Sequence, residues 1–333
     1  MFNLAKQTSE NRIQAFTEAA VRLTNMNETV IEKDYYVVLM MDILFNHSKF
    51  AKHLTFKGGT SLSKSLKIIE RFSEDIDLIL DWRVLGYEKN EPWEERSKKA
   101  QLRFISEMRH RTSNWIKDEL IPELNNHIDR LGCDGIKLNI NEKDPRTIEV
   151  SYSGIFQVAG ILQEIRLEIG PLSAWTPHSN YEISPYISEV FPQIFEYSSI
   201  QVPTVEGKRT FWEKATILHK EANRKTNHIP PRYFRHYYDL YMMSQSDIKK
   251  AALEDLDLLR QVAEFKIKFF ADNTARYEDA KNPATLKLIP PESQMDNLQE
   301  DYIIMGEMMF GVYPPFDEIM EGIRTLENEI NAM

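Results

Sequence analysis

In this chain of 333 residues the side chains best placed to do chemistry are Asp75 and Asp77, at the start of the apolar run over residues 76–80. If that run is a strand, its period of two puts both carboxylates on one face, with their Cα atoms about 6.6 to 6.8 Å apart. Two anions held that close repel each other unless a divalent cation sits between them. Upstream stands Lys57-Gly58-Gly59-Thr60-Ser61-Leu62, in which Leu62, Leu66 and Ile69 fall at helical spacing. The spacing predicts a helix capped by Thr60 or Ser61, with Gly58-Gly59 letting the backbone approach a ligand unhindered by a Cβ. The amides and dipole at a helix N-terminus suit phosphate. Magnesium, a hard ion that takes oxygen ligands and substrate phosphates, fits both halves, and manganese is the alternative ion. The local reading is a metal-dependent nucleotide site.

Each half has a plainer reading. Gly-Gly-Thr-Ser is commonly a turn and a cap, and Asp-x-Asp commonly a solvated strand edge. Their order, one helix-length apart, favours the joint reading. A haloacid-type phosphatase would put an apolar strand before its Asp-x-Asp, whereas here polar Ser73-Glu74 precedes it. A Walker P-loop is absent, since no Gly-Lys-Ser/Thr closes a glycine-rich loop.

The arrangement resembles the DNA polymerase beta-like nucleotidyltransferases. More narrowly, Lys57-Gly58-Gly59-Thr60-Ser61-Leu62-Ser63-Lys64 with Arg71-Phe72-Ser73-Glu74-Asp75-Ile76-Asp77-Leu78 is similar to the AbiEii/AbiGii toxin family of toxin–antitoxin and phage-defence systems. Two later strings resemble further motifs of that family: Thr210-Phe211-Trp212-Glu213-Lys214 and Arg235-His236-Tyr237-Tyr238-Asp239. The resemblance covers residues 32–331 and implies Lys214 and Asp239 as active-site residues beside Asp75 and Asp77. It also makes Lys57, Gly58, Gly59, Thr60, Ser61, Lys64 and Ser73 the nucleotide-binding candidates. Glu168 is the candidate for a third metal carboxylate, on an alternating strand over residues 163–169 that a wet sheet face would explain equally well. The implied activity is Mg²⁺-dependent transfer of a nucleotide from a nucleoside triphosphate. The expected acceptor is the tRNA 3′ end, and a cognate antitoxin is the expected restraint. Two other readings stay open, a transferase acting on a small molecule or protein, and a catalytically idle binding protein of the same fold.

The elements that position these residues follow from periodicity. Helices are expected over residues 9–25, with Ile13, Phe16, Ala20 and Leu23 as its stripe, and from 30 to about 45. Glu32-Lys33-Asp34 reads as the charged first turn of the second, although the same triplet recurs in the resembled family. Residues 51–56, 136–140, 147–153 and 200–204 read as strands. One or two helices over 93–131 are expected to be jointed near Pro122, and 181–195 reads as irregular. Helices follow over 210–220, from 235, and over 262–270, 301–309 and 316–330, with a connector over 275–290. The fold class is α/β (α+β), a polymerase beta-like core with a small mixed sheet over 1–205 and a helical domain over 206–333, with the active site expected between them.

Composition bounds the rest. Hydrophobic content of 42% and charged content of 28% describe a globular chain. No apolar run reaches 18 residues, and residues 1–12 lack the order of a signal peptide, so a cytoplasmic protein with no membrane partner is expected. A single cysteine, Cys133, rules out an intramolecular disulfide. The net charge of −10 opposes wholesale coating of nucleic acid. Between residues 206 and 236, however, eight Lys and Arg face three acids (Lys208, Arg209, Lys214, Lys220, Arg224, Lys225, Arg232 and Arg235), a candidate entry for RNA.

Overall fold

Asp75–Leu80 forms strand β2, which pairs antiparallel with β1, Leu54–Lys57, and parallel with β5, Glu164–Gly170. Ile76, Leu78, Ile79 and Leu80 are buried, each contributing about 1.5–3 kcal/mol of hydrophobic stabilisation. The face of β2 that carries the aspartates is therefore open at its start and covered by Ile79 at its end. The computed structural model describes residues 1–23, 26–73, 75–133, 135–156, 164–171, 177–224, 230–310 and 313–333. Glu74, Gln163 and Lys225 lie outside the described residues.

The chain divides into two units: Met1–Ser65 with Phe72–Thr204, and Leu66–Arg71 with Val205–Met333. The first holds a seven-stranded mixed sheet in the order β3-β4-β5-β2-β1-β7-β6. Its other strands are β3 (Lys137–Ile140), β4 (Thr147–Ser151), β6 (His178–Ile183) and β7 (Ile200–Val205). Its helices are α1 (Ser9–Arg22), α2 (Glu28–Asp42), α3 (Gly58–Lys64), α4 (Lys98–Trp115), α5 (Ile121–Arg130) and the short α6 (Ile187–Val190).

Several elements depart from the periodicity reading. The segment read as irregular over 181–195 begins in β6, an edge strand whose alternation is polar except at the buried Ile183. The joint between α4 and α5 is a π-turn at Ile116–Leu120, just ahead of Pro122. The stripe Leu62, Leu66, Ile69 does not belong to one helix, because α3 stops at Lys64 and Lys67 takes a positive φ of 54°. Ile13, placed on the apolar stripe of α1, is 42% exposed, whereas Phe16 is fully buried.

Glu32, Lys33 and Asp34 are not a solvated first turn. They lie in the second turn of α2, buried like nearly the whole helix. Buried charge needs partners, and both carboxylates have them. Glu32 accepts the backbone N–H groups of Ile155 (3.0 Å) and Phe156 (3.1 Å). Asp34 pairs with Lys64 at 2.7 Å and accepts the Tyr186 N–H at 2.7 Å.

The second unit is helical: α7 (Gly207–Ala222), α8 (Arg235–Ser244), α9 (Asp247–Leu253), α10 (Leu256–Phe269), α11 (Met295–Met305) and α12 (Phe316–Asn331). α9 lies where no element was expected. Its Ile248 sits so close to Gly207 that a Cβ there would stand 2.6 Å from Ile248 Cδ1, so the glycine lets α7 and α9 meet. Among the described residues no helix is long and apolar enough to cross a membrane.

Candidate active site

In the first unit the β1–α3–β2 segment brings the glycines to the aspartates. Asp77 stands in register with Lys57 on β1 and with Glu168 on β5, while Asp75 stands in register with Arg166. Both aspartates are half-buried and Glu168 is exposed. Gly58 has φ of +83°, and a Cβ there would collide with Asp77 Oδ2 and lie 2.7 Å from its Cγ. Glycine is thus required twice, by its left-handed backbone and by the carboxylate against it. The backbone entering α3 lies directly on the Asp77 side chain.

The hydroxyls of this segment serve the backbone and do not cap the helix. Lys57 is the N-cap residue and makes no side-chain capping bond. Thr60 Oγ1 donates to the Asp75 carbonyl at 2.5 Å, tying α3 to β2, and Ser61 Oγ donates to the Gly58 carbonyl at 2.7 Å. With those protons committed, the donors left for an anion are first-turn amides, which lack an acceptor within any helix. Lys64 is drawn away into a buried pair with Asp34, its ammonium 3.7 Å from the Tyr186 ring centroid. Ser73 is half-buried just before β2.

Among the described residues no three His, Cys, Asp or Glu side chains are grouped to hold a metal, Asp75, Asp77 and Glu168 included. What the strand does offer is two carboxylates on one face. That donor set suits magnesium, which keeps several waters and binds through one or two carboxylates plus substrate phosphates. Arg166 bonds Glu164 at 2.9 Å, and this bond, with Asp75 nearby, raises its pKa.

In the second unit Lys214 on α7 and Asp239 on α8 are bonded at 2.7 Å and both are buried. Arg71, in the segment Leu66–Arg71 of the same unit, grips the same carboxylate through Nε at 2.7 Å and Nη2 at 2.9 Å. Burial alone would raise the Asp239 carboxyl; the Arg71 and Lys214 cations outweigh it and hold it well below its ordinary value. Burial lowers the Lys214 ammonium, with Asp239 opposing and Arg71 adding to the shift. Burial, then Lys214 and Arg235, push His236 well below its usual value, so its neutral ring accepts from Lys214 Nζ through Nδ1 at 3.1 Å.

Arg71 and His236 are the residues that sequence reasoning left without a role. A faint signal existed for His236, three residues before Asp239 and so on the same helix face.

The basic run over 206–236 is largely neutralised by its own unit. Lys208 pairs with Asp255 (2.9 Å), Arg209 with Glu213 (3.1 Å), Lys214 with Asp239 (2.7 Å), Lys220 with Asp272 (3.1 Å) and Arg224 with Glu221 (2.5 Å).

A family model described as nucleotidyl transferase AbiEii toxin, type IV toxin–antitoxin system, matches residues 41–322. The chain belongs to the AbiEii family. It is therefore a nucleotidyltransferase of the toxin class, for which an NTP substrate and an antitoxin partner follow from the family. Among solved structures, MenT4, a nucleotidyltransferase toxin from Mycobacterium tuberculosis H37Rv, aligns over 97% of this chain and 90% of its own, at 16% identity and a TM-score of 0.51. That likeness is one of fold, the mixed sheet with many helices. JHP933 from Helicobacter pylori aligns over 90% of this chain and 92% of its own, at 12% identity and a TM-score of 0.43. No curated protein matches the sequence of this AbiEii chain.

Proposed function

We propose that this AbiEii protein transfers a nucleoside monophosphate from an NTP to the 3′ hydroxyl of tRNA, with Asp75 and Asp77 as the residues that hold the metal. The observation that carries this reading is the β1–α3–β2 geometry, two carboxylates on one strand face with the Gly58 backbone pressed against Asp77. In the reaction the acceptor hydroxyl loses its proton to water as its oxygen bonds to the α-phosphorus, the bond from that phosphorus to the bridging oxygen breaks, and pyrophosphate leaves. Magnesium held there would polarise the α-phosphate and neutralise charge as it develops. The chain's own contribution is to fix the two carboxylates. Thr60 anchors α3 to the Asp75 carbonyl, and the α3 amides at Gly59, Thr60 and Ser61 meet the β- and γ-phosphates. Glu168, in register with Asp77, would be the third carboxylate toward the metal. Lys214 is a further active-site candidate on the family resemblance, and within the second unit Asp239 with Arg71 fixes its position. Lys57 and Ser73 flank this segment, and Lys64 acts through its tether to Asp34.

The neutralised cations of residues 206–236 favour a second reading, in which the acceptor is a small molecule or a protein. One experiment separates the two. The protein is incubated with each α-phosphate-labelled NTP, Mg²⁺, and total RNA that is either intact or oxidised with periodate to destroy its 3′ diol. Label on intact RNA alone supports the tRNA reading. Label on protein or metabolites, with both RNA samples blank, overturns it.

A further inference from the structure

In a chain with a net charge of −10, the stretch from Lys98 to Lys117 carries six Lys and Arg against the single acid Glu107. The stretch is α4 and the π-turn after it, both in the first unit. Its inward face is Ile105, Met108, Thr112 and Trp115. Its cations Lys98, Lys99, Arg103, Arg109, Arg111 and Lys117 are all exposed.

Pairing distinguishes this stretch from the run over 206–236. Arg111 bonds Glu107 at 2.9 Å, and Arg109 is near enough to Asp144 to help lower its pKa. Among the described residues Lys98, Lys99, Arg103 and Lys117 form no ion pair. The flanking acids are engaged in part, Glu94 with Arg96 and Glu119 with Lys49. At 3.6 residues per turn, Lys99, Arg103 and His110 fall along one line of the solvent face. Two cations one turn apart, Lys99 and Arg103, suit a phosphodiester backbone, where affinity comes from neutralised phosphates. α4 also packs on β5, the strand hydrogen-bonded to the strand bearing Asp75 and Asp77.

We propose that the exposed face of α4 centred on Lys99 and Arg103 is the surface on which the backbone of the RNA acceptor lies. This rests on the tRNA reading above and adds to it the place where the RNA body docks.

The test compares the wild type with Lys99→Glu/Arg103→Glu and with a charge-matched control in the second unit, Lys250→Glu/Arg324→Glu. Steady-state transfer to tRNA is measured over a range of salt. The α4 variant should raise KM for tRNA about tenfold or more and leave KM for the NTP and the melting temperature unchanged. Its log kcat/KM against log salt should flatten by roughly 1.4 to 1.8, two phosphate contacts at about 0.7 to 0.9 each. The control should match the wild type. If the wild type labels tRNA and the α4 variant keeps its KM and slope, the α4 assignment is wrong while the acceptor reading stands. If the wild type labels no RNA, both fall. An α4 variant that escapes its antitoxin while keeping its KM for tRNA would give this face to an acidic protein partner and also overturn the assignment.

Discussion

The Asp77 carboxylate fills the space that a β-carbon on Gly58 would need. Because Gly58 also has φ of +83°, any other residue there meets a backbone penalty and a collision together. Gly58→Ala should destabilise the protein by about 1–3 kcal/mol and greatly reduce transfer, since Asp77 must move. The two effects separate in a cycle. Adding Asp77→Ala should recover part of the stability and none of the activity. Recovery should stay incomplete because Asp77 Cβ itself would lie 2.9 Å from the new methyl. Additive stabilities in urea titrations would mean that the contact is not the cause.

Lys64 and Asp34 provide a second cycle. Removing one partner of a buried pair leaves an unpaired charge and typically costs about 3–5 kcal/mol, whereas replacing both with apolar groups is often near neutral. Asp34→Leu alone should destabilise strongly, and Asp34→Leu/Lys64→Met should regain most of the loss. If Lys64 is a tether for α3, the double variant should keep its KM for the NTP within about threefold. A KM raised by on the order of 10²-fold in the stable double variant would make Lys64 a phosphate ligand instead.

Asp239 lies between two buried cations, Arg71 and Lys214. Asp239→Asn leaves those cations facing each other and should cost about 3–5 kcal/mol, part of it recovered by Lys214→Met. Lys214→Ala should lower the transfer rate by about 10²-fold or more, and Lys214→Arg should not restore it. Unchanged kinetics in a folded Lys214→Ala would remove the residue from the mechanism.

His236 adds a pH signature. Its folded pKa is depressed well below 6.5, so as pH falls through about 6.5 the unfolded chain takes up a proton that the folded chain refuses. Acidification therefore favours unfolding, and the stability present above pH 6.5 is lost on the way down. Between pH 6.5 and 5.5 His236→Gln should flatten the slope by up to about 1.4 kcal/mol per pH unit. The remaining slope would include His219, also depressed by burial. An unaltered slope would place the proton uptake elsewhere.

What the sequence made legible was local. The period of two puts Asp75 and Asp77 on one strand face, and the glycine pair marks the close approach, because both signals sit within a few residues. The partners of the charged side chains were not legible. Asp34 finds Lys64, and Arg71 finds Asp239 across 168 positions, with no local trace of either pairing. The same blindness made residues 206–236 look like spare positive charge, since their neutralisers Asp255 and Asp272 lie further along the chain. Conversely α4 read only as a helix, because the spacing of its cations does not say which of them, among the described residues, form ion pairs. Strand β6 escaped because an edge strand needs no apolar run.

The central claim, nucleotidyl transfer through two aspartates, is tested most directly by the rate at which α-phosphate label passes from NTP to tRNA with Mg²⁺. The wild type should be compared with Asp75→Asn and Asp77→Asn, each shown by thermal melting to be folded. Either variant should lose at least about 10²-fold in rate, about 2.7 kcal/mol of transition-state stabilisation, with melting temperatures unchanged or slightly raised as like charges are removed. A folded Asp77→Asn that transfers label at the wild-type rate would contradict it.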